Sequence, residues 1–379
     1  MNSRPFIINH RSCHSGGILF KPNASAREQK DSFRMTVLFI SAKLHKTTRS
    51  FFLTYWLFHL AFTNTCLAQN MAGRIYAAVL FNNSKSNVTG ADRYIGVFAR
   101  AKGDTAWKNF PNTNLFAFGL GFAQHGATQR YYIAGGNGLH RSADGGKTWK
   151  ILTGWETMEV LSVAFDPVEA KIIYIATPYG IFKSIDDGKN WAEKMRGCKS
   201  WYTDEVIIDA LDRHTLYAAV DDDLYRSRDG GENWVALQAG APGIRTVVQL
   251  ATHSNVILVG TEDYGVRVTF DEGKNWSGGK GIPATAIYAI HASSNGKAIY
   301  AGGYKTGVWR SNDLGQSWLQ IWTAPEIEAI YSLFVDPANA DHLLVGTNGK
   351  GIYESTDGGM TWKQAGLEGA HVKQISILP

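Results

Sequence analysis

Cysteine is nearly absent from this chain. Of three cysteines in 379 residues, Cys13 and Cys66 fall within the first 69, leaving Cys198 alone in the remainder. No internal disulfide can staple that remainder, so burial must stabilise it, and its length suffices for a large core. Lys199 beside Cys198 would favour a thiolate, but "RGCKSW" reads as an ordinary loop. A basic surface is missing too. Residues 1–69 hold nine of the 38 Lys and Arg but only two of the 33 Asp and Glu, so residues 70–379 carry a formal net charge of −2. Nothing in that balance suggests a nucleic-acid surface, which would need a concentrated basic face. His214 and His371 have no second ligand at zinc spacing. The adjacent acids Asp221, Asp222 and Asp223 lack the alternation of a calcium loop and read as an exposed turn. No metal and no cofactor are expected.

Also lacking is an apolar run long enough to cross a bilayer. "FFLTYWLFHLAF", Phe51 to Phe62, has twelve residues where about 20 are needed. Lys43, Lys46 and Arg49 precede it and "TCLAQN" follows. A basic flank, a short apolar core and a small-residue exit predict a secretory signal peptide over 35–69, cleaved after Ala68. The rival reading is a single N-terminal anchor, with membrane contact only if the leader stays uncleaved. Residues 1–34 are polar, aperiodic and expected to be an unstructured lead-in. Residues 70–379 are expected to form one domain, secreted or periplasmic.

That domain is repetitive. The octet "SADGGKTW" at Ser142 recurs as "SIDDGKNW" at Ser184, "SRDGGENW" at Ser227, "TFDEGKNW" at Thr269, "SNDLGQSW" at Ser311 and "STDGGMTW" at Ser355. The starts are 42 to 44 residues apart. A seventh, eroded copy lies one period upstream, where "GVFARAKGDTAW" keeps Gly96 and Trp107 but carries Arg100, Lys102 and Asp104 in place of Ser, Asp and Gly. Each period reads as four short β-branched and aromatic runs separated by Gly, Asp and Pro. "LSVAFDP", "IIYIAT", "GIFKS" and "NWAEK" correspond to "YSLFVDP", "HLLVGT", "GIYES" and "TWKQA". Seven four-stranded units predict an all-β, seven-bladed β-propeller. The domain opens with "GRIYAAVLF", a second strand, and ends with "VKQISILP", the missing innermost one. The C-terminal strand is therefore expected to complete blade one and close the ring. The octet falls between third and fourth strands, so Asp144, Asp186, Asp229, Asp271, Asp313 and Asp357 are turn residues that accept backbone N–H bonds, while each Trp packs against a neighbouring blade.

The pattern S-x-D-x-G-x-x-W resembles the Asp-box, or BNR, repeat over essentially all of residues 71–379. Propellers of this type include sialidases, xyloglucanase-type glycoside hydrolases, sortilin-type receptors and photosystem II assembly factors, so the resemblance implies a fold and leaves function open. Sialidases bind the substrate carboxylate through three arginines, the first usually in Arg-Ile-Pro, beside a Tyr–Glu pair and an acid. That tripeptide is absent. Arg141, Arg226 and Arg310 each precede the box Ser directly, a repeating position better explained as strand surface. Sialidase activity is not expected. Xyloglucanase-type enzymes place their acids between two propellers, and one is present here.

Propeller ligands usually bind at the channel mouth, on loops entering the innermost strands and joining strands two and three. Superposing the units places Glu156, Glu326 and Glu368 at one position. Asp204 and Glu328 come two residues further on, equivalent to Met158, and Arg245 two beyond that, equivalent to Val160. Offsets of two keep side chains on one face of an extended strand. Glu156, Asp204, Glu326 and Glu328 are the candidate catalytic acids, since crowding raises one carboxyl's pKa beside a charged partner. Arg245, Glu368 and the aromatics Trp155, Trp201, Tyr202, Tyr264, Tyr304 and Trp322 are the candidate substrate contacts. Sequons stand at Asn82, Asn87 and Asn275, and the insertion "NNSKSNVTGAD" lengthens a blade-one loop. Two classes remain: an exported protein that binds and cleaves a glycan, by hydrolysis or elimination, or a non-catalytic propeller that binds another protein.

Overall fold

The computed structural model describes residues 73–82, 95–110, 113–125 and 128–378. The expected lead-in, leader, Cys13, Cys66, Asn87 and nearly all of the blade-one insertion lie outside them.

Each repeat forms a four-stranded antiparallel sheet, and seven such sheets make the ring. Blade two is representative, with strands at Ala117–His125, Thr128–Gly135, Gly138–Ser142 and Lys150–Ile151. The tight turn into its third strand needs glycine. Gly138 has φ of 121°, and a Cβ there would stand 2.3 Å from Thr153 Oγ1. Closure is as the chain ends predicted: Ala370–Leu378 is the innermost strand of blade one, paired antiparallel with Arg74–Asn82 through Ile75 with Ile377 and Ala77 with Ile375. The two ends of the domain therefore lock one blade, which removes an open sheet edge there.

Adjacent blades pack face to face, and the second strands show how the repeat encodes this. Tyr76, Tyr132, Tyr174, Tyr217 and Tyr300 occupy one position and are buried, with Leu258 and Leu344 in the remaining blades. Two residues on, the chain is always small: Ala78, Ala134, Ala176, Ala219, Gly260, Gly302 and Gly346. The next blade's innermost strand passes there. A Cβ on Gly346 would stand 2.7 Å from Val372 Cγ1 and 2.9 Å from Val372 O, contacts that close packing does not tolerate.

The octets are turns on the opposite end of each blade from the channel mouth. Ser142 Oγ donates to Asp144 Oδ1 at 2.7 Å and accepts the Gly146 N–H at 2.8 Å. Asp144 accepts the Thr148 N–H at 2.9 Å and the Thr148 hydroxyl at 2.6 Å. The bonds from Thr148, then the one from Ser142, hold the Asp144 carboxyl down at about 2. The same network recurs at Asp186, Asp229, Asp271, Asp313 and Asp357. Box tryptophans also tie blades together: Trp191, Trp234 and Trp276 donate to Leu152 O, Lys194 O and Leu237 O of the preceding blade. Residues directly before the box Ser reach the other way. Arg141, Lys183 and Arg226 donate to Asp187 O, Gly230 O and Glu272 O of the following box. Arg141 and Arg226 thus clasp the next blade, whereas Arg310 donates to Asn312 of its own turn.

Candidate functional site at the channel mouth

Six of the seven innermost strands enter their sheets with one residue squeezed out of register. In blade four Thr203 pairs with Val220 and Glu205 with Ala219, leaving Asp204 as the extra residue. The same β-bulge leaves out Phe118, Arg245, Tyr288 and Tyr331 in blades two, five, six and seven, and Lys373 in blade one. Leu161 takes the equivalent place before Ser162 in blade three. Innermost strands present an edge to the channel, so their ordinary residues point between blades; a bulge re-aims one side chain. The six bulged residues and Leu161 line a channel cavity of about 830 Å³. Around the ring they read Phe118, Leu161, Asp204, Arg245, Tyr288, Tyr331, Lys373, an apolar arc followed by a polar one.

The polar arc is centred on Arg245. Its guanidinium bonds Asp204 Oδ2 at 2.9 Å and Glu262 Oε2 at 2.8 Å, and Asp221 lies 3.7 Å away. Burial raises the Asp204 pKa, and the Arg245 bond offsets only part of that rise. The Tyr288 hydroxyl lies 3.5 Å from Glu262 Oε1; burial, then the Glu262 charge, push its pKa up to about 12. Tyr288 and Tyr331 rings are 5.2 Å apart, and Lys373 Nζ sits 4.4 Å from the Tyr331 centroid, within cation–π range.

A second ring immediately below joins the blades. Glu205 Oε2 accepts the Val247 N–H and the Thr246 hydroxyl of blade five, both at 3.0 Å. Ser332 Oγ accepts the Ile375 N–H of blade one at 2.8 Å, and Gln374 Oε1 accepts the Leu120 N–H of blade two. In blades four, seven and one, a backbone donor of the next blade is thus satisfied by the residue after the bulge.

The expected site residues divide. Asp204, Arg245 and Tyr202 line the cavity together. Burial first, then Asp204, raise the Tyr202 pKa. The expected register is corrected: Asp204 is equivalent to Arg245, Leu161 and Tyr331, not to Met158 and Glu328, because the loops entering the innermost strands differ in length. Glu328 is exposed, bonded by Asn348 at 3.2 Å, and Glu326 and Glu368 are exposed on neighbouring loops. Glu156 lies in the short 3₁₀ turn Trp155–Thr157 leading into blade three. Trp155, Trp201, Tyr264 and Tyr304 are exposed around the mouth. Trp322 is elsewhere, in the outer strand Leu319–Trp322, stacked on Trp362 at 4.8 Å.

The weaker candidates have partners. Asp223 accepts the Gln238 and Ala239 N–H groups, and Asp222 accepts the Tyr225 hydroxyl. Burial pushes the Cys198 thiol up to about 12, and Asn275 donates to Asp271. Composition and loop position did not reveal Tyr288, Tyr331, Lys373 or Glu262. For Tyr288, Tyr331 and Lys373 the signal was a spacing: the six bulged residues and Leu161 fall 41 to 43 apart.

A model of the DUF6242 beta propeller domain matches residues 207–370. No curated protein matches the chain significantly. Among solved structures, the GH74 xyloglucanase from Xanthomonas campestris is 21% identical with a TM-score of 0.53 over 66% of this chain and 45% of its own. This chain therefore spans less than half of that enzyme. YCF48 from Cyanidioschyzon merolae is 19% identical with a TM-score of 0.51, over 68% of this chain and 88% of its own. The extracellular domain of a hybrid two-component system from B. thetaiotaomicron is 14% identical with a TM-score of 0.56, over 74% and 38%. Such identities establish the fold alone. The chain is a seven-bladed β-propeller, consistent with the family its repeats resemble, and residues 207–370 match the DUF6242 beta propeller domain.

Proposed function

We propose that this propeller is exported and binds a glycan at its channel mouth, with cleavage by the mouth carboxylates as the finer reading. The observation that carries it is the distribution of exposed aromatic rings. Among the described residues these are Phe81, Phe116, Trp155, Tyr179, Trp201, Tyr202, Tyr264 and Tyr304. Each stands on a loop entering an innermost strand, on a turn between strands two and three, or, for Phe81, near the end of a second strand. Strand direction puts all of these on the mouth face. The large apolar residues exposed on turns of the opposite face, Val168, Ile185, Leu211 and Met360, are aliphatic. Packing alone gives no reason for that segregation. A pyranose ring stacks its C–H face on an aromatic ring, while its hydroxyls need acceptors and donors such as Asp204, Tyr202 and Tyr331 within reach. An aromatic-lined concavity with a few convergent polar groups is the usual form of a small-ligand site.

Asp204 is the candidate acid that lines the cavity itself, its carboxylate held by Arg245; Glu156, Glu326 and Glu328 are the candidates for its partner. The test incubates the full chain with a panel of polysaccharides and follows binding and new products by mass spectrometry. A variant carrying Glu156→Ala, Asp204→Ala, Glu326→Ala and Glu328→Ala runs in parallel. Binding with products lost in a folded variant supports cleavage at these acids. Binding without products supports the glycan-binding reading alone. No binding across the panel overturns both and favours the rival class, a propeller whose aromatic face meets a protein partner.

A further inference from the structure

The two cations of the mouth differ in their company. Arg245 is engaged by Asp204, Glu262 and Asp221, so its charge is more than matched. Lys373, two positions further round the bulge ring from Tyr288, has no such partner. Among the described residues no carboxylate comes within 4.0 Å of its ammonium, and its near contact is the Tyr331 ring. Burial pushes its pKa down; the Asp204 charge at longer range pulls it up, and Arg245 opposes that. A lysine held in this way is expensive to keep charged unless something brings the counter-charge.

Its neighbours suggest what does. Lys373 stands between Tyr331 on one side and the apolar arc of Phe118 and Leu161 on the other, all facing the same cavity. Three of the acids, Asp204, Glu262 and Asp221, surround Arg245 and place negative field on that side of the cavity, while Glu328 stands on the exposed rim above Tyr331. An anion entering the channel is therefore turned toward Lys373, with a ring face available on Tyr331.

We propose, on the basis of the glycan reading above, that the sugar accepted here is an anionic one, a uronate or a sulfate ester, with its charged group on Lys373 and its ring against Tyr331. A neutral sugar would leave the ammonium uncompensated. The arrangement also fixes orientation, because Arg245 is already occupied and cannot compete for the anion.

The test is calorimetric titration of the full chain with trigalacturonate and with its methyl-esterified counterpart, which has the same rings without charge. A sulfated galactose trisaccharide is compared likewise with its desulfated form. The expected result is about tenfold tighter binding of one anionic member than of its neutral partner, equivalent to one well-made charged contact. Preference within the first pair assigns a carboxylate, and within the second a sulfate. Lys373→Gln should bring the pair within about twofold of each other, and Lys373→Arg should keep the preference. The wild-type comparison stands even if Lys373→Gln fails to fold. Equal binding of charged and neutral partners, or a preference that survives in Lys373→Gln, overturns the anionic assignment while the glycan reading stands. Absence of binding by all four trisaccharides counts against both.

Discussion

Arg100 meets Glu354 at 2.8 Å across the junction of blades one and seven. Arg100 stands where the other repeats carry the box Ser, and it is 3% exposed. Glu354 also accepts His342 Nε2 at 2.8 Å, whose Nδ1 lies 3.1 Å from Asp336. Asp336 in turn holds Lys102, at the position of the box Asp, at 2.7 Å. Trp107 completes the seam by donating to Ala365 O at 2.7 Å, with the Arg100 guanidinium 5.1 Å above its ring. The eroded repeat has exchanged a staple within one blade for an ionic chain between two, at the blade the two ends of the domain assemble.

Breaking a buried pair by removing one partner leaves an uncompensated charge, at a cost of about 3 to 5 kcal/mol. Arg100→Ala should fall near the lower end, because His342 still faces Glu354. Arg228→Ala removes an exposed pair of the same 2.8 Å length, with Glu272, and should cost no more than about 1 kcal/mol. Denaturant unfolding of both variants checks the contrast. Equal losses would mean that the seam carries no special share of ring stability.

The seam should also set the pH window of stability. Glu354 is held down at about 2 by His342 first, then by Arg100 against burial. Its contribution is present above its ordinary 4.5 and fades as pH falls toward 2. The His342 pKa is raised, chiefly by Glu354. That contribution is full below its ordinary 6.5 and is lost as pH rises through the raised value. Melting temperature should therefore decline on the alkaline side of neutrality, and His342→Gln should flatten that limb. An unchanged alkaline limb in the variant would show that His342 does not carry the dependence.

Ser227→Ala is a cleaner probe of the ordinary boxes. Ser227 is fully buried, accepts the Gly231 N–H at 2.9 Å and donates to Asp229 at 2.8 Å. Removing the hydroxyl strands a buried donor, which costs about 1 to 3 kcal/mol. The mouth lies on the other face, so ligand affinity should be unchanged in the folded fraction. A change in affinity with stability preserved would contradict the purely structural role of the box.

The fold was legible because its cause repeats. A turn that needs Ser, Asp, Gly and Trp recurs at nearly constant spacing, and the first and last strands read as two parts of one blade. The site was less legible because bulges break the rule that alternate residues share a face. Asp204 and Arg245 were found as charges near the mouth, yet their equivalence to Tyr288, Tyr331 and Lys373 depends on one extra residue per strand. "VKQISI" reads as a regular edge strand, and only its pairing with Ala78 and Val79 frees Lys373. Trp322 was misleading for the opposite reason, since nearness in sequence to the mouth loops says nothing about which strand a ring belongs to.

Glu205 tests whether the second ring needs its charge. Both donors, the Val247 N–H and the Thr246 hydroxyl, reach a single oxygen, Oε2, so Gln can keep an acceptor there. Burial raises the Glu205 pKa above its ordinary 4.5, and Asp204 adds to the rise. A carboxyl with a raised folded pKa binds its proton more tightly in the folded state. It therefore withdraws stability as pH rises through that pKa and restores it as pH falls. Glu205→Gln should be neutral or stabilising by up to about 1 kcal/mol at pH 7, since it removes a poorly solvated charge and keeps the bonds. The wild type should regain that difference near pH 4. Glu205→Ala, by contrast, strands the Val247 N–H and should cost about 1 to 3 kcal/mol at either pH. Chemical denaturation at both pH values separates these outcomes. If Gln were as damaging as Ala at pH 7, the ring would depend on the charge itself, and Glu205 would have to be counted with Asp204 and Glu262 among the groups that set the field at the mouth.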